Sequence, residues 1–348
     1  MHMADALLSP AVGGTMWAVS AGLLGYSCKK IRDAFGESKI PLMGVAGAFV
    51  FAAQMINFTI PGTGSSGHLG GGLLLAVLLG PWAGFITMAS ILVVQALFFA
   101  DGGLLALGCN IFNLGFWTCF VAYPLIYQPI AGKNPTRKRI IWGSMLAAIA
   151  GLQMGAFSVV LETVFSGISE LPFGMFVLAM LPIHLAIGVV EGLATAAIIL
   201  FVLQNRPQIL LSPQTSEAVS SIRTLSLTLL AGAAVLGGAA SWFASTHPDG
   251  LEWSMMRVSG KEELETPEKG IHASLSEIQE KTAILPDYGF KKTDDEPAEE
   301  SDEATWPAVD IGTSVSGIVG GAFTLLLAVG VGAAVKLAYR KKPQANLS

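Results

Sequence analysis

The chain has 348 residues, of which 52% are hydrophobic and only 13% charged, about half the charged share of an ordinary soluble domain. That composition excludes a soluble globular protein. The net charge of −5 conceals an asymmetry, because residues 245 to 312 hold 17 of the 25 acidic residues and 6 of the 20 basic ones.

In chain order, apolar spans are predicted at 10 to 28, 40 to 58, 69 to 80, 82 to 100, 104 to 131, 140 to 165, 174 to 203, 224 to 245 and 313 to 335. A stretch of roughly 20 such residues crosses a bilayer core of about 30 Å; the span at 69 to 80 is shorter than that, and Gly80-Pro81 after it reads as a turn or a kink. The fold class is an all-α polytopic membrane protein, a seven-span helical bundle followed by a two-span C-terminal module. Residues 1 to 204 form the first unit. Residues 205 to 223, polar and carrying Pro207 and Pro213, read as a cytoplasmic linker, and 224 to 348 as the second unit, with an acidic extracytoplasmic segment at 246 to 312. Within that segment Lys291 to Glu303 is charge-rich with little apolar content and reads as flexible. Gly317, Gly320 and Gly321 offer a small-residue face to a neighbouring helix.

Outside the acidic segment the basic residues fall into four clusters, around Lys29 to Lys39, Lys133 to Arg139, Arg206 to Arg223 and Lys336 to Lys342. Loops rich in Lys and Arg stay cytoplasmic. Nine spans then put the N-terminus outside and the C-terminus in the cytoplasm. The opening Met1-His2-Met3-Ala4-Asp5 has neither a basic leader region nor a cleavage site before the first span, and large His2 protects the initiator methionine from removal. A free methionine amine is therefore expected at the exterior.

Several chemistries are excluded by their missing residues. Gly132-Lys133-Asn134 and Gly260-Lys261-Glu262 both lack the Ser or Thr of a Walker A loop, so ATP hydrolysis by that route is not available. No zinc-protease helix or serine-hydrolase elbow occurs. Cys28, Cys109 and Cys119 show no paired spacing, so neither a disulfide framework nor a thiolate metal site is indicated. What remains is a set of polar groups in or beside apolar spans: His2, Gln54, Asn57, His68, Gln95, Asp101, Asn110, Asn113, His184 and Glu191.

A histidine at position 2 can do what most histidines cannot. The terminal amine and the backbone nitrogen of residue 2 close a five-membered ring on a metal, and the imidazole closes a six-membered ring with that same nitrogen. A fourth nitrogen completes a square, which suits Ni(II) and Cu(II) rather than Mg or Ca, and His68 in the glycine-rich loop Pro61 to Gly72 can supply it. A frayed terminal residue and an ordinary loop histidine would satisfy the same spacing.

Met1-His2 followed by Ala4-Asp5-Ala6-Leu7-Leu8-Ser9-Pro10, with Gly67-His68-Leu69-Gly70-Gly71, Leu79-Gly80-Pro81-Trp82 and Gln95-Ala96-Leu97-Phe98-Phe99-Ala100-Asp101-Gly102-Gly103, resembles the substrate-binding membrane component of energy-coupling-factor cobalt and nickel transporters, the CbiM/NikM type. His247-Pro248-Asp249-Gly250-Leu251-Glu252-Trp253 resembles the signature of that family's two-span accessory component, CbiN/NikN. The resemblance implies that Ni(II) or Co(II), as transported substrate, is held by Met1, His2 and His68, and that a coupling membrane protein and two cytoplasmic ATPase subunits complete the transporter. Ala6 departs from the pattern, where a glycine is usual. Around the ligands, Asp5 is expected to orient His2 or to cap the first helix. Asn110 and Asn113 are expected to hold the terminal segment or the glycine loop, and Asn57, Ser66, His184 and Glu191 to support the ligands without binding the ion. The rival function is a metal-binding membrane sensor or scaffold that does not translocate the ion.

Overall fold

The computed structural model describes residues 2–34, 39–205, 207–211, 216–267, 269–291 and 306–340. Its helices are α1 (Pro10–Ala34), α2 (Ile40–Gln54), α3 (Gly72–Leu79), α4 (Pro81–Phe98), α5 (Leu107–Ala131), α6 (Arg137–Ser166), α7 (Phe173–Asn205), α8 (Pro207–Leu211), α9 (Ser216–Gly238), α10 (Gly250–Ser259), α11 (Ile271–Thr282) and α12 (Ile311–Arg340). Among them α4, α5, α6, α7 and α12 are long and apolar enough to cross a membrane. The all-α expectation needs one correction: β1 (Phe58–Ile60) pairs antiparallel with β2 (Ser65–Gly67), so α2 stops at Gln54 rather than at 58.

Sequence pattern explains which faces turn inward. In α7 the buried positions Phe176, Met180, Ile183, Ile187 and Glu191 recur every three or four residues, while Leu178 is 75% and Leu193 53% exposed on the other side. A helix apolar on both faces is suited to protein on one side and lipid on the other.

The stretch predicted as a span at 69 to 80 contains a helix of only eight residues, α3, about 12 Å long and too short to cross a core of about 30 Å. Four residues of non-helical chain, His68 to Gly71, lead into it, with Gly71 in the left-handed region at φ 79°. Gly80, at φ 85°, then reverses the chain into α4, and Gly84 lies so close to α3 that a Cβ there would come 2.9 Å from the Ala76 nitrogen. In an apolar surround such irregular backbone is tolerated only when protein groups satisfy its polar atoms.

The linker predicted at 205 to 223 carries helix: α8 occupies Pro207–Leu211 and α9 already begins at Ser216. Helices α9 and α12 touch at Gly237 and Gly317, where a Cβ on Gly317 would lie 2.3 Å from the Gly237 carbonyl oxygen. Gly320 lies under the Phe51 ring of α2, leaving 2.1 Å for a Cβ, whereas Gly321 meets Ala48 only at 3.8 Å.

The acidic segment packs over the end of the bundle where α1 begins and α4 ends. Ile284 and Leu285 donate their N–H groups to the Phe98 carbonyl and Asp287 donates to Phe99, while Gln279 Nε2 bridges the carbonyls of Ala96 and Gly102. His272 Nε2 donates to the Leu8 carbonyl at 2.8 Å. At the opposite end Lys30 sits over the rings of Tyr26 and Trp82, Arg139 donates to the Ile130 carbonyl and Lys336 to that of Arg32. Most of the charge run predicted as flexible, 292 to 303, lies outside the described residues.

Candidate metal site

The terminal segment enters the bundle as non-helical chain at 2–4 and a 3-10 turn at Asp5–Leu7, with Met3, Leu7 and Leu8 buried. Asn110 grips it from α5: the Met3 N–H donates to Asn110 Oδ1 at 2.8 Å and Asn110 Nδ2 donates to the Met3 carbonyl at 3.2 Å. Gly103 N–H donates to that same carbonyl at 2.9 Å. Asp5 neither orients His2 nor caps α1; its Oδ1 accepts the Ala106 N–H at 2.9 Å. A Cβ on Gly103 would fall 1.9 Å from that oxygen, so the contact depends on glycine. Ser9 takes the place at the start of α1, where its Oγ accepts from Val12 N–H at 3.4 Å.

His2 is oriented by Asp101. Its Nδ1 lies 2.9 Å from Asp101 Oδ1, and Tyr288 donates its hydroxyl to Asp101 Oδ2. Burial alone would raise the Asp101 carboxyl, but the field of His2, its hydrogen bond and the Tyr288 hydroxyl hold it well below the usual carboxylate range. The His2 and His68 rings stack with centroids 5.2 Å apart and planes 9° from parallel. His68 Nδ1 donates to its neighbour's carbonyl, Leu69 O, at 3.1 Å, which makes Nε2 the nitrogen that carries the lone pair. Met1 lies outside the described residues.

Glu191 holds the glycine loop. Its two carboxyl oxygens accept the N–H groups of Gly70 at 2.8 Å and Gly71 at 3.1 Å. Gln54 donates to the Gly70 carbonyl at 2.8 Å and is itself held by Gln95 Nε2 at 2.9 Å. His184, one face with Glu191 on α7, donates Nδ1–H to the Met180 carbonyl at 2.8 Å. Its Nε2 has no partner among the described residues, and it lines a small cavity with His68, Gly70 and Asp249.

Of three other expected supports, one meets the terminal segment and two turn elsewhere. Asn113 Nδ2 donates to Glu162 Oε2 at 2.7 Å and lies 3.7 Å from the Met3 sulfur. Ser66 binds the accessory segment, through its N–H to the Pro248 carbonyl and its hydroxyl to that of His247, both at 2.8 Å. Asn57 accepts the Ser245 N–H on its carbonyl at 2.7 Å. These two residues dock the second unit rather than steady the histidines.

Six participants have no role assigned by the sequence. Glu162, a carboxyl inside a 30-residue apolar helix, was findable by the rule that charges inside membrane segments have a reason to be there. Asp101, Gln54 and Gln95 stand out in sequence as polar residues beside apolar spans, with nothing local to name their partners. Tyr288 and Asp249 arrive from more than 180 residues away in sequence, which no local pattern reveals. Asp249 caps α10, accepting from Leu251 and Glu252, and Glu252 accepts the Asp249 N–H in return.

Among the described residues no three His, Cys, Asp or Glu side chains are placed to hold one ion. Two imidazoles side by side can therefore supply only part of a coordination shell.

Comparison with known proteins follows the same division of the chain. Residues 2–209 match the CbiM family, described as a cobalt uptake substrate-specific transmembrane region, and residues 223–337 match the PDGLE domain. The NikMN protein of Archaeoglobus fulgidus is 37% identical over 218 residues, 60% of this chain and 68% of its own. A protein of Rhodobacter capsulatus named "Fused nickel transport protein NikMN" is 31% identical, over 63% of this chain and 66% of its own. A crystal structure described as a truncated transition metal transporter has a TM-score of 0.52 and 30% identity, covering 59% of this chain and 99% of its own. The chain belongs to the CbiM family of membrane metal-transport components, with a PDGLE domain of the CbiN/NikN kind fused behind it in one polypeptide.

Proposed function

We propose that this protein is the substrate-capture subunit of an ATP-driven importer for Ni(II) or Co(II). The ion is held in a square of four nitrogens: the Met1 amine, the His2 backbone nitrogen, the His2 imidazole and the His68 imidazole. The observation that carries this reading is the parallel pairing of the His2 and His68 rings 5.2 Å apart, each on a backbone gripped by buried groups, Asn110 at Met3 and Glu191 at Gly70 and Gly71. Closing the six-membered ring requires His2 Nδ1, so loading includes the release of that nitrogen from Asp101 and the loss of its proton.

The outward face is the end covered by the acidic segment, and the cytoplasmic face the end carrying Lys30, Arg139 and Lys336. The stretch from His68 to Leu79, part loop and part α3, makes the crossing that a continuous helix was expected to make. Residues 1 to 204 form the metal-binding unit and 224 to 348 the accessory one. A coupling membrane protein and two ATPase subunits supply the energy, and names of relatives such as the R. capsulatus fused nickel transport protein support transport over a sensor or scaffold.

The test is to place one residue before Met1. Every side chain survives, but the primary amine becomes an amide and His2 moves to the third position, where amine, two amides and imidazole already fill the square. Cells making the extended protein with its partner subunits should take up neither nickel nor cobalt, and any residual binding should not respond to His68→Ala. In the unextended protein His2→Ala and His68→Ala should each weaken binding strongly. Binding and uptake by the extended protein equal to the parent's would overturn the chelate.

A further inference from the structure

A chamber of about 650 Å³ separates the two units, and its wall includes both His2 and His68. The remaining polar lining is strongly one-signed. Asp5, Asp101, Asp249, Glu252, Glu263, Asp287 and Asp310 all contribute to it, and among the described residues no lysine or arginine does. All but Asp5 and Asp101 belong to the accessory unit. That unit also has basic residues, but among the described ones none faces the chamber: Arg257 lies over the Trp253 ring, Lys261 pairs with Glu265, Lys281 with Glu277, Lys291 donates to the Glu280 carbonyl, and exposed Lys269 lies outside the lining. Charge has therefore been sorted, with the positive groups of the segment kept off the chamber.

An acidic surface alone would mean little. Here the same wall carries His2, whose side chain is only 6% exposed and whose Nε2 has no partner among the described residues. A cavity with low-dielectric walls and charge of one sign focuses the field along its axis and raises the local concentration of the opposite ion.

We propose that this chamber is the antechamber of the metal site: its carboxylates, supplied mainly by the fused accessory unit, gather a hydrated divalent transition-metal cation above His2 and His68 and set the rate of its capture. The proposal rests on the metal-capture reading above. The outer carboxylates act through water and long-range field, so they leave the release rate unchanged. It also explains why a segment so acidic is joined to this bundle.

The test uses the full chain in uncharged-lipid nanodiscs, with NiCl2 as probe and stopped-flow mixing against a metal-indicator dye. Glu263→Gln, Asp287→Asn and Asp310→Asn are combined. Asparagine tolerates the left-handed backbone of Asp287 (φ 50°) and can accept the Thr313 N–H that Asp310 now caps. The control triple, Glu262→Gln, Glu265→Gln and Glu277→Gln, removes the same net charge from residues that do not line the chamber. At roughly 10 mM salt, where screening reaches only beyond about 30 Å, the chamber triple should associate about threefold to tenfold more slowly than the parent. Its dependence on salt should flatten, its dissociation rate should not move, and the control triple, whose charges stand outside the chamber wall, should slow association clearly less. Glu263→Gln alone, at an exposed position, should show the same sign at smaller size, which keeps the test open if the triple folds poorly. Equal association rates for the two triples would overturn the antechamber while leaving the metal site standing. Failure of the parent itself to bind nickel would overturn both.

Discussion

Glu191→Gln tests how the glycine loop is held. The substitution keeps volume and shape but replaces one carboxyl oxygen with an NH2 group, which meets a backbone donor with another donor. The shorter bond, Gly70 N–H to Oε2 at 2.8 Å, is the one worth keeping, so the amide should settle with its NH2 toward Gly71, whose bond to Oε1 is 3.1 Å. One hydrogen bond is then lost and one buried N–H is left without an acceptor, about 1 to 3 kcal/mol in all. The ceiling is therefore about 3 kcal/mol. Since 1.4 kcal/mol is a factor of about ten, and losses of groups that steady ligands typically cost about 10-fold to 100-fold in affinity, nickel binding to detergent-purified protein should weaken within that range by calorimetry. Hydrogen exchange at Gly70 and Gly71 should accelerate together with it, while exchange at Met3, held by Asn110, should not change. Affinity within about threefold of the parent, with unchanged exchange at both glycines, would refute the claim that Glu191 positions His68.

Nickel affinity should rise with pH, because the amine and the amide shed protons to bind while His68 Nε2 already carries its lone pair. Between about pH 7.5 and pH 6 it should fall by more than about a hundredfold, whereas a site of two ordinary imidazoles alone would lose only about tenfold; calorimetry in buffers of different ionisation enthalpy counts the protons. Asp5→Ala should cost about 1 to 3 kcal/mol of stability by orphaning the Ala106 N–H, seen as a lower thermal midpoint, and Asp5→Asn, which keeps an acceptor, should cost less; equal midpoints for Asp5→Ala and the parent would contradict the role assigned to it. For sidedness, single cysteines at the exposed positions Ser274 and Asn134 should react differently with an impermeant thiol reagent in intact cells: Ser274 labels and Asn134 does not, and the reverse pattern would invert the topology. His184→Ala should lower stability or slow transport with little effect on equilibrium binding, as measured by the same calorimetry, because the square is complete without it.

Much of the fold was readable because lipid imposes simple rules. Long apolar runs become helices when no water is present to satisfy the backbone, so α4, α5, α6, α7 and α12 follow from hydropathy alone. The failures lie where tertiary contacts replace that rule. The region at 69 to 80 is apolar throughout, yet only Gly72–Leu79 is helical, because Glu191 and Gln54 satisfy the Gly70 and Gly71 backbone from other helices. The supposed linker holds helix for a different reason: once Pro207 begins a turn and Ser216 another, polar composition is no obstacle to helix at an aqueous boundary.

The candidate site divides along the same line. A histidine in second position, and a second histidine in a glycine loop, were visible as chemistry because a chelate ring depends on covalent spacing, which sequence states outright. Which carboxyl serves each of them was not visible. Asp5 lies three residues from His2 yet binds Ala106, while Asp101, 99 positions away, receives the His2 ring, and Tyr288 closes on Asp101 from the other unit. Local spacing determines what a backbone can chelate; the partners of a side chain depend on which helices lie beside it, and that is decided only when the bundle packs and every buried polar atom must find a mate.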